Sequence, residues 1–502
     1  VSVQDQLQAM GVLPAPANIS MLLHMAFFAD NMRHYDEAYA NYAAVLEQNP
    51  NHLFALTRLL TIDGVQGRLD AAEIHHKQLI KSLETADLKS VHWMQLGAIA
   101  YQSVIRALPR DIYVSVMREI DRQLIALTGG PKFKHENKAR KHRLRVGYLS
   151  SCLRDHPIGH VTADLFASHN RERVEVVVFY SPEGPDTAIT DRARTDAEKF
   201  VELSGHPTDI AATIAAHEVD VLIYLDNIMS LALLPVLTMR PAPVQISWLG
   251  VAGNCDLSCI DYFIADETVV PRGEEDLYFA PVLRLPGTYH CAFTHAVGTI
   301  MSRAEAGLPD SGFVFCAFNN PEKIDRTVFQ SWMRILSRVD GSVLWLSRTH
   351  SRAIQRHLGA VAQDCGISPN RLIIADRIED KADHLARHKL AGLFLDTMIH
   401  NASTMALDAL WVGLPVLTIR GARFSACIAT SLLQEIGMNR LICDSLQEFE
   451  DKAVYLATHE ADLEEIRGKL NQNKETTPLF NTQAFCEKLE DCLLQVPFRR
   501  VD

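Results

Sequence analysis

The stretch LDTMIHNASTMALDALW, Leu395 to Trp411, joins a short apolar strand to a helix through an irregular loop. Leu393, Phe394 and Leu395 end the strand, Asp396 and Thr397 stop it, and Ser403 or Thr404 stands where a helix running through Ala406 to Val412 would be capped. Such a junction aims unpaired backbone N–H groups and the positive end of a helix dipole at the loop. An anion such as a diphosphate would be held there, at Ser403, Thr404 and Met405. Asp408, one turn into the helix, can accept hydrogen bonds from ribose hydroxyls if a nucleotide lies along the helix start. Taken alone, the same residues would also make an ordinary strand-to-helix connection.

Three further groups carry chemistry. In SSCLRDHPIGH, His156 and His160 form an i, i+4 pair beside Asp155, but no third ligand has matching spacing, so no metal is expected. A single imidazole facing an acceptor or a donor phosphate fits better, with helix capping as the alternative. In CAFNNPEKID, Asn319, Asn320 and Lys323 follow a strand and enter a helix at Pro321. A lysine near a helix start is unfavourable by up to about 1 kcal/mol unless an anion is present, so Lys323 suggests a phosphate, or else extends into solvent. In DKADHLARH, His384 can stack on a nucleobase and Lys381 can reach base or ribose atoms, with Arg387 on the same short helix.

These groups gain meaning from the elements that carry them. Apolar runs at 144–150, 174–180, 219–225 and 244–249 alternate with helical segments at 158–168 and 209–217. The pattern lapses around 286–308 and resumes with strands at 313–318, 343–347, 372–375, 392–396 and 414–419, interleaved with helices such as 326–337 and 427–434. This predicts two doubly wound parallel sheets with a ligand cleft between them, at the carboxyl ends of the strands. Helices at 447–470 and 482–494 are expected to pack back across the junction.

Ahead of the sheets lies a repeat. Ala38, Tyr42, Val45 and Pro50 have the spacing of the second helix of a tetratricopeptide unit, and Ala72 follows Ala38 by 34 residues, with Gly67 at the inter-helix turn. A third start at Trp93, Leu96, Gly97 and Ala100 fades at Pro109, which predicts about two and a half helical pairs stacked on the rest of the chain through a helix at 112–127. The expected organisation is a helical domain at 1–127, a basic Gly-Gly-Pro-led linker at 128–143, and α/β domains at 144–308 and 309–502.

With 48% apolar residues and a formal net charge of −12, the 502-residue chain can build large cores and is no general nucleic-acid binder. Ten cysteines without a repeated CxxC pattern read as reduced thiols. No charged-then-apolar leader opens at Val1, and Val221 to Met239, interrupted by Asp226 and Pro235, reads as a core strand and helix rather than a membrane span. A soluble, cytoplasmic protein is expected.

From Leu144 to Leu494 the chain resembles the O-linked N-acetylglucosamine transferases and their bacterial and SPINDLY-like relatives. The likeness is carried in order by RVGYLSS with HPIGH, RPAPVQISWLG, IDYFIAD, CAFNNPEKID, SVLWLSR, NRLII with DHLARHKLA, LDTMIHNAST with ALDALWVGLPVLT, and PLFNTQAF. The resemblance implies an α/β GT-B-like fold of two Rossmann-type domains behind an all-α tetratricopeptide-like domain. It implies inverting transfer of a sugar, N-acetylglucosamine from UDP foremost, to a serine or threonine of a protein, with no cofactor or metal required. A protein or peptide acceptor would run along the tetratricopeptide surface. A different donor sugar, an asparagine acceptor, or a weakened nucleotide-sensing binding protein are the alternatives.

By position, Lys323 looks like the diphosphate-contacting lysine, Lys381 and His384 like the nucleotide-binding pair, and Asp408 like the ribose carboxylate. His156 falls on the histidine near donor phosphate and acceptor, and Asn320 where a side-chain amide is usual. There are departures. Ser403, Thr404 and Met405 stand where a histidine and two threonines are usual. Ala252, Gly253 and Asn254 replace a proline, glycine and threonine loop, with Asp256 where a small residue is common. Cys427 replaces an arginine, and Cys152 an aspartate.

Overall fold

The computed structural model describes residues 18–135, 142–253, 255–347 and 353–497. Val1, Asn254 and part of the 128–143 connection lie outside them.

The chain begins with antiparallel helical pairs: Ile19–Asn31 with Tyr35–Gln48, Leu53–Gln66 with Leu69–Thr85, and Trp93–Ile105 with Arg110–Thr128. The third pair is complete rather than half a unit, because Pro109 starts a new helix instead of ending the array. Gly67 makes the turn of the second pair at φ +70°, and a Cβ there would lie 2.9 Å from Leu358, so the turn is also pressed against the second sheet domain. The first pair and one face of Leu53–Gln66 close a small separate core around Leu22, Tyr42, Val45 and Leu59, whereas the later helices share the main core.

The first sheet contains β1 (Leu144–Ser150), β2 (Val174–Tyr180), β3 (Lys199–Glu202), β4 (Val221–Tyr224), β5 (Val244–Ser247), β6 (Tyr262–Ala265) and β7 (Val282–Arg284). All pair in parallel, in the order β3-β2-β1-β4-β5-β6-β7. The second contains β8 (Val314–Ala317), β9 (Val343–Leu346), β10 (Leu372–Ile374), β11 (Leu393–Leu395), β12 (Val416–Ile419) and β13 (Ile442–Cys443), again parallel, in the order β10-β9-β8-β11-β12-β13. Strands such as VLIY and VQIS are buried at every position, as parallel strands covered on both faces must be. Two such sheets with helices between strands form the GT-B-like arrangement. Strand order reverses between β1 and β4 in one sheet and between β8 and β11 in the other, and those two switch points are where ligand crevices open.

Two helices expected as continuous are broken. The segment at 158–168 is Pro157–Val161 followed by Leu165–Ser168, because Thr162 turns its hydroxyl back to the Ile158 carbonyl at 2.8 Å. The segment at 447–470 belongs to Leu446–Thr458 and Glu460–Thr476, separated at His459, whose ring stacks on Tyr455 at 4.0 Å. Among the described residues no helix is long and apolar enough to cross a membrane.

The last helix, Thr482–Gln495, returns to the first sheet domain. Phe485 stacks on Trp248 with ring centroids 5.8 Å apart. Glu490, fully buried, accepts from His169 Nδ1 and from the Asn170 N–H, both at 2.9 Å, and Tyr148 Oη lies 2.7 Å from His169 Nε2. Replacing Glu490 by Ala strands both donors in a dry interface and is expected to cost about 3 kcal/mol. The measurement is the urea midpoint of the unfolding transition. Glu490→Gln, which keeps one acceptor oxygen, should lose less.

Candidate functional site

At the second switch point, β8 and β11 lie side by side, so the segments leaving their carboxyl ends meet. Asn319 Nδ2 donates to Asp396 Oδ1 at 3.2 Å and to Thr397 Oγ1 at 2.9 Å. Asp396 also accepts from the N–H groups of Thr397 and Ala402 and from Thr418 Oγ1, at 2.7–2.8 Å, which shapes the loop before Ser403. Burial pushes its carboxyl up to about 6 against those donors. Lys323 ends a 3₁₀ turn, Pro321–Lys323, and its Nζ donates to the Asn401 carbonyl at 2.9 Å. Burial pushes the ammonium down to about 8, opposed by Asp396, and no ion pair to Lys323 forms among the described residues. Asn320 is exposed and uses its carbonyl oxygen to cap the Glu322 N–H at 3.2 Å.

The helix after the loop is Thr404–Trp411. Its first helical hydrogen bond runs from the Leu407 N–H to the Ser403 carbonyl, so the N–H groups of Thr404, Met405 and Ala406 lie ahead of the ladder. Ser403 holds the N-cap position, but contrary to expectation neither its side chain nor that of Thr404 caps the helix.

One turn along, Asp408 is completely buried and Lys381 Nζ lies 2.7 Å from both of its oxygens. His384 Nε2 is 3.4 Å from Asp408 Oδ2, and the His384 and His388 rings meet edge to face at 5.0 Å. Burial alone would raise the Asp408 carboxyl, but Lys381 and His384 together hold it well below the usual carboxylate range. Ligand atoms of His384, His388 and Asp408 fall within 4.8 Å of one another, a spacing a metal ion could bridge. The Lys381 ammonium already occupies that carboxylate, and the Arg387 guanidinium stands over the Phe318 ring at 4.6 Å on the same helix. A second cation would meet repulsion from both.

The first domain closes on this pair. Lys381 Nζ stands 5.2 Å above the Phe293 ring, and Trp411 Nε1 donates to the His295 carbonyl at 2.8 Å. His295 Nε2 lies 3.2 Å from His160 Nδ1, and His160 Nε2 lies 2.7 Å from Asp155. His156 does not join them: its Nδ1 accepts from the Ile158 N–H at 3.2 Å, the capping role, and burial with nearby Arg154 pushes the ring down to about 4.

At the first switch point, Asp226 follows β4 and accepts from Ser150 Oγ, at 2.5 Å, and from the Ser151 N–H and Oγ at 2.6 and 2.9 Å. Burial pushes its carboxyl up to about 6. Cys152 Sγ is 3.6 Å from Ser151 Oγ, and its thiol is pushed up to about 12 by burial and Asp226. Asn227, at φ +52°, donates to the carbonyls of Val251 and Gly253 at 3.0 Å, fixing the loop that follows β5.

A cavity of about 700 Å³ opens between the helical domain and both α/β domains. Val104, Leu108 and Arg110 border it from the third helical pair, and Ala252, Gly253, Asp256 and Cys427 are among its lining residues. It is one loop away from Lys323, since Ser425 on its wall accepts from the Asn401 N–H at 2.8 Å.

Of the residues singled out from sequence, the structure thus brings Lys323 to Asn401, in the loop ahead of Ser403, gathers Lys381 with His384 and Asp408, and leaves His156 and Asn320 as caps. Sequence reasoning passed over His290, Phe293 and His295, which lie where the strand-and-helix pattern lapses and nothing marks which face a side chain takes.

Residues 120–298 and 294–489 match the model of glycosyl transferase family 41. A probable UDP-N-acetylglucosamine–peptide N-acetylglucosaminyltransferase SEC of Arabidopsis thaliana is 33% identical over 360 residues, 69% of this chain and 36% of that protein. A UDP-N-acetylglucosamine–peptide N-acetylglucosaminyltransferase of Caenorhabditis elegans is 25% identical over 469 residues, 70% of this chain and 41% of that one. The chain therefore spans well under half the length of these relatives. A solved mutant of the Thermobaculum terrenum O-GlcNAc transferase superposes with a TM-score of 0.81 at 22% identity, covering 97% of this chain and 91% of that one, a likeness of fold. With the family model matched from the end of the helical domain to the last helix, the chain belongs to glycosyl transferase family 41.

Proposed function

We propose that this protein transfers a sugar, N-acetylglucosamine foremost, from a UDP donor to a serine or threonine hydroxyl of a protein, with inversion at the anomeric carbon. The observation that carries the reading is Lys323: a part-buried ammonium without an ion-pair partner among the described residues, aimed at the loop that leads into a helix N-terminus. A bound diphosphate would supply the missing negative charge. The nucleotide then lies in order along the second domain, with the diphosphate between Lys323 and residues 403–405, the ribose at Asp408 and the base against His384, flanked by Lys381. Ribose hydroxyls would share Asp408 with Lys381. The relatives' names, which specify UDP-N-acetylglucosamine and a peptide, support the choice of donor and acceptor class.

In the reaction the acceptor oxygen bonds to the anomeric carbon from the face opposite the diphosphate, the bond to the phosphate oxygen breaks, and UDP leaves with the electron pair. Lys323 and the helix start would stabilise the charge that develops on the leaving group. The acceptor segment enters through the 700 Å³ cavity, bordered by the third helical pair. Ala252 and Cys427, both departures from the resemblance, line that cavity, which favours a second reading in which the same chemistry uses a different sugar.

Mass spectrometry of a mixed peptide library incubated with several UDP and GDP sugars tests the activity. Transfer from a UDP sugar is expected; nucleotide binding without transfer or hydrolysis from any donor would sink the enzyme reading. Lys323→Ala should lower kcat by about a hundredfold or more while peptide binding changes little. Equal turnover in the variant removes this lysine from the mechanism.

A pH profile gives an independent check. Lys323 carries its charge below its depressed pKa and loses it as pH rises through about 8 in the free protein. Because kcat/KM reports the free enzyme, it should fall above about pH 8. A flat profile up to the range of an ordinary lysine would contradict a role for the charged form.

A further inference from the structure

Ser403 occupies the N-cap position of the helix Thr404–Trp411, with φ −113° and ψ −90°, yet its hydroxyl makes no capping hydrogen bond. Serine in that position ordinarily does. Ser445, at the start of Leu446–Thr458, adopts extended backbone angles and accepts from the Glu448 N–H at 3.2 Å.

Ser403 differs in two ways: its backbone is not extended, and its hydroxyl meets His290, which follows β7 in the first domain and reaches across to the second. Its Nε2 lies 2.6 Å from Ser403 Oγ, and its Nδ1 lies 2.7 Å from the Cys291 carbonyl. A carbonyl only accepts, so Nδ1 carries the proton. Burial pushes the ring down to about 4, so it is neutral at pH 7 and Nε2 is an acceptor. The Ser403 hydroxyl therefore donates to His290. At 4% exposure, the imidazole is walled in, and Tyr289 packs against it with ring centroids 5.6 Å apart.

We infer that His290 is a positioning residue for the donor diphosphate: by holding the Ser403 hydroxyl it keeps the N-cap side chain off the helix start and leaves the N–H groups of Thr404, Met405 and Ala406 to an anion. A hydroxyl released from His290 would rotate onto those N–H groups and compete with phosphate for them. Lys323, reaching the same loop through the Asn401 carbonyl, points independently to an anion at this place. The same bond ties one α/β domain to the other at the mouth of the cleft. The inference rests on the donor-site reading above.

The test is calorimetric titration of UDP, and separately of uridine, into the full chain. Against wild type, His290→Phe should weaken UDP by about tenfold, the scale of an N-cap contact, and leave uridine unchanged. His290→Gln, whose amide oxygen can still accept the hydroxyl, should stay close to wild type. In the His290→Phe background, adding Ser403→Ala removes the competing hydroxyl and should restore most of the UDP affinity, a recovery that mere packing damage would not give. His290→Leu carries the same comparison if the phenyl ring does not fit. Equal loss of UDP and uridine, or no recovery in the double variant, overturns the role of His290 while the donor site stands. Failure of the wild-type chain to bind UDP overturns the donor site itself, and this inference with it.

Discussion

The ammonium of Lys323 is the constraint around which the cleft is organised. A cation withdrawn from water costs several kcal/mol unless negative charge or oriented dipoles replace its hydration. Here its hydrogen-bond partner among the described residues is a single backbone carbonyl, that of Asn401. The nearby carboxylates, Asp396 and Glu322, offset part of that cost without pairing directly, and the Asp396 oxygens are taken up by Asn319, Thr397, Ala402 and Thr418, which shape the loop. The charge that remains is what a bound anion would meet in the proposed reading. It arises because β8 and β11 are neighbours at a switch point, so that Lys323 and the loop of Asn401 leave the sheet side by side.

The helical repeats belong to the same arrangement. Helix Leu53–Gln66 approaches the turn Pro321–Lys323 so closely that a Cβ on Gly64 would lie 2.5 Å from Arg106 Nη2 and 3.0 Å from the Cα of Glu322. Arg106 Nη1 donates to the Ile324 carbonyl at 3.3 Å, and Asp70 forms an ion pair with Arg326. The residues on either side of Lys323 are thus held by the helical domain, which also borders the adjoining cavity through Val104 and Leu108. A solenoid docked in this way sets the depth of the cleft as well as any surface it offers to a partner.

How much of this could be read from sequence follows the physics of each element. β1 and β2 are legible to the residue because strands buried on both faces are unbroken apolar runs. The sheet-edge strand β3, with the sequence KFVE, offers no such run, and β7 and β13 are too short to show a period. Lys323, Lys381, His384 and Asp408 stand at predictable offsets from strand ends, so their grouping was foreseeable. The resemblance supplied the roles that offsets alone do not. His290 was invisible, since no periodicity places a residue in the irregular segment between β7 and β8, and its partner Ser403 is 113 positions away in the chain. Local propensity makes Ser403 a cap, and a contact from the other domain overrides that propensity.

The departures from the resemblance fall unevenly over the cleft, and this division has a physical meaning. Lys381, His384, Asp408 and Lys323 form a set whose charges complement a ribose and a diphosphate, and that set is intact. Ala252 and Cys427 lie elsewhere, on the wall of the large cavity, and Cys152 lies against the buried Ser150, Ser151 and Asp226 cluster of the first domain. Among the described residues none of these three bonds to Lys323, Lys381, His384 or Asp408; the Cys427 thiol turns to the Gly421 carbonyl at 3.0 Å. In the proposed reading, nucleotide affinity and the choice of sugar and acceptor would draw on separate side chains carried by separate loops. Position 403 touches both halves. Its backbone belongs to the loop proposed for the diphosphate, and its hydroxyl is bound to a histidine of the first domain, so a change at either residue would be felt on both sides of the cleft.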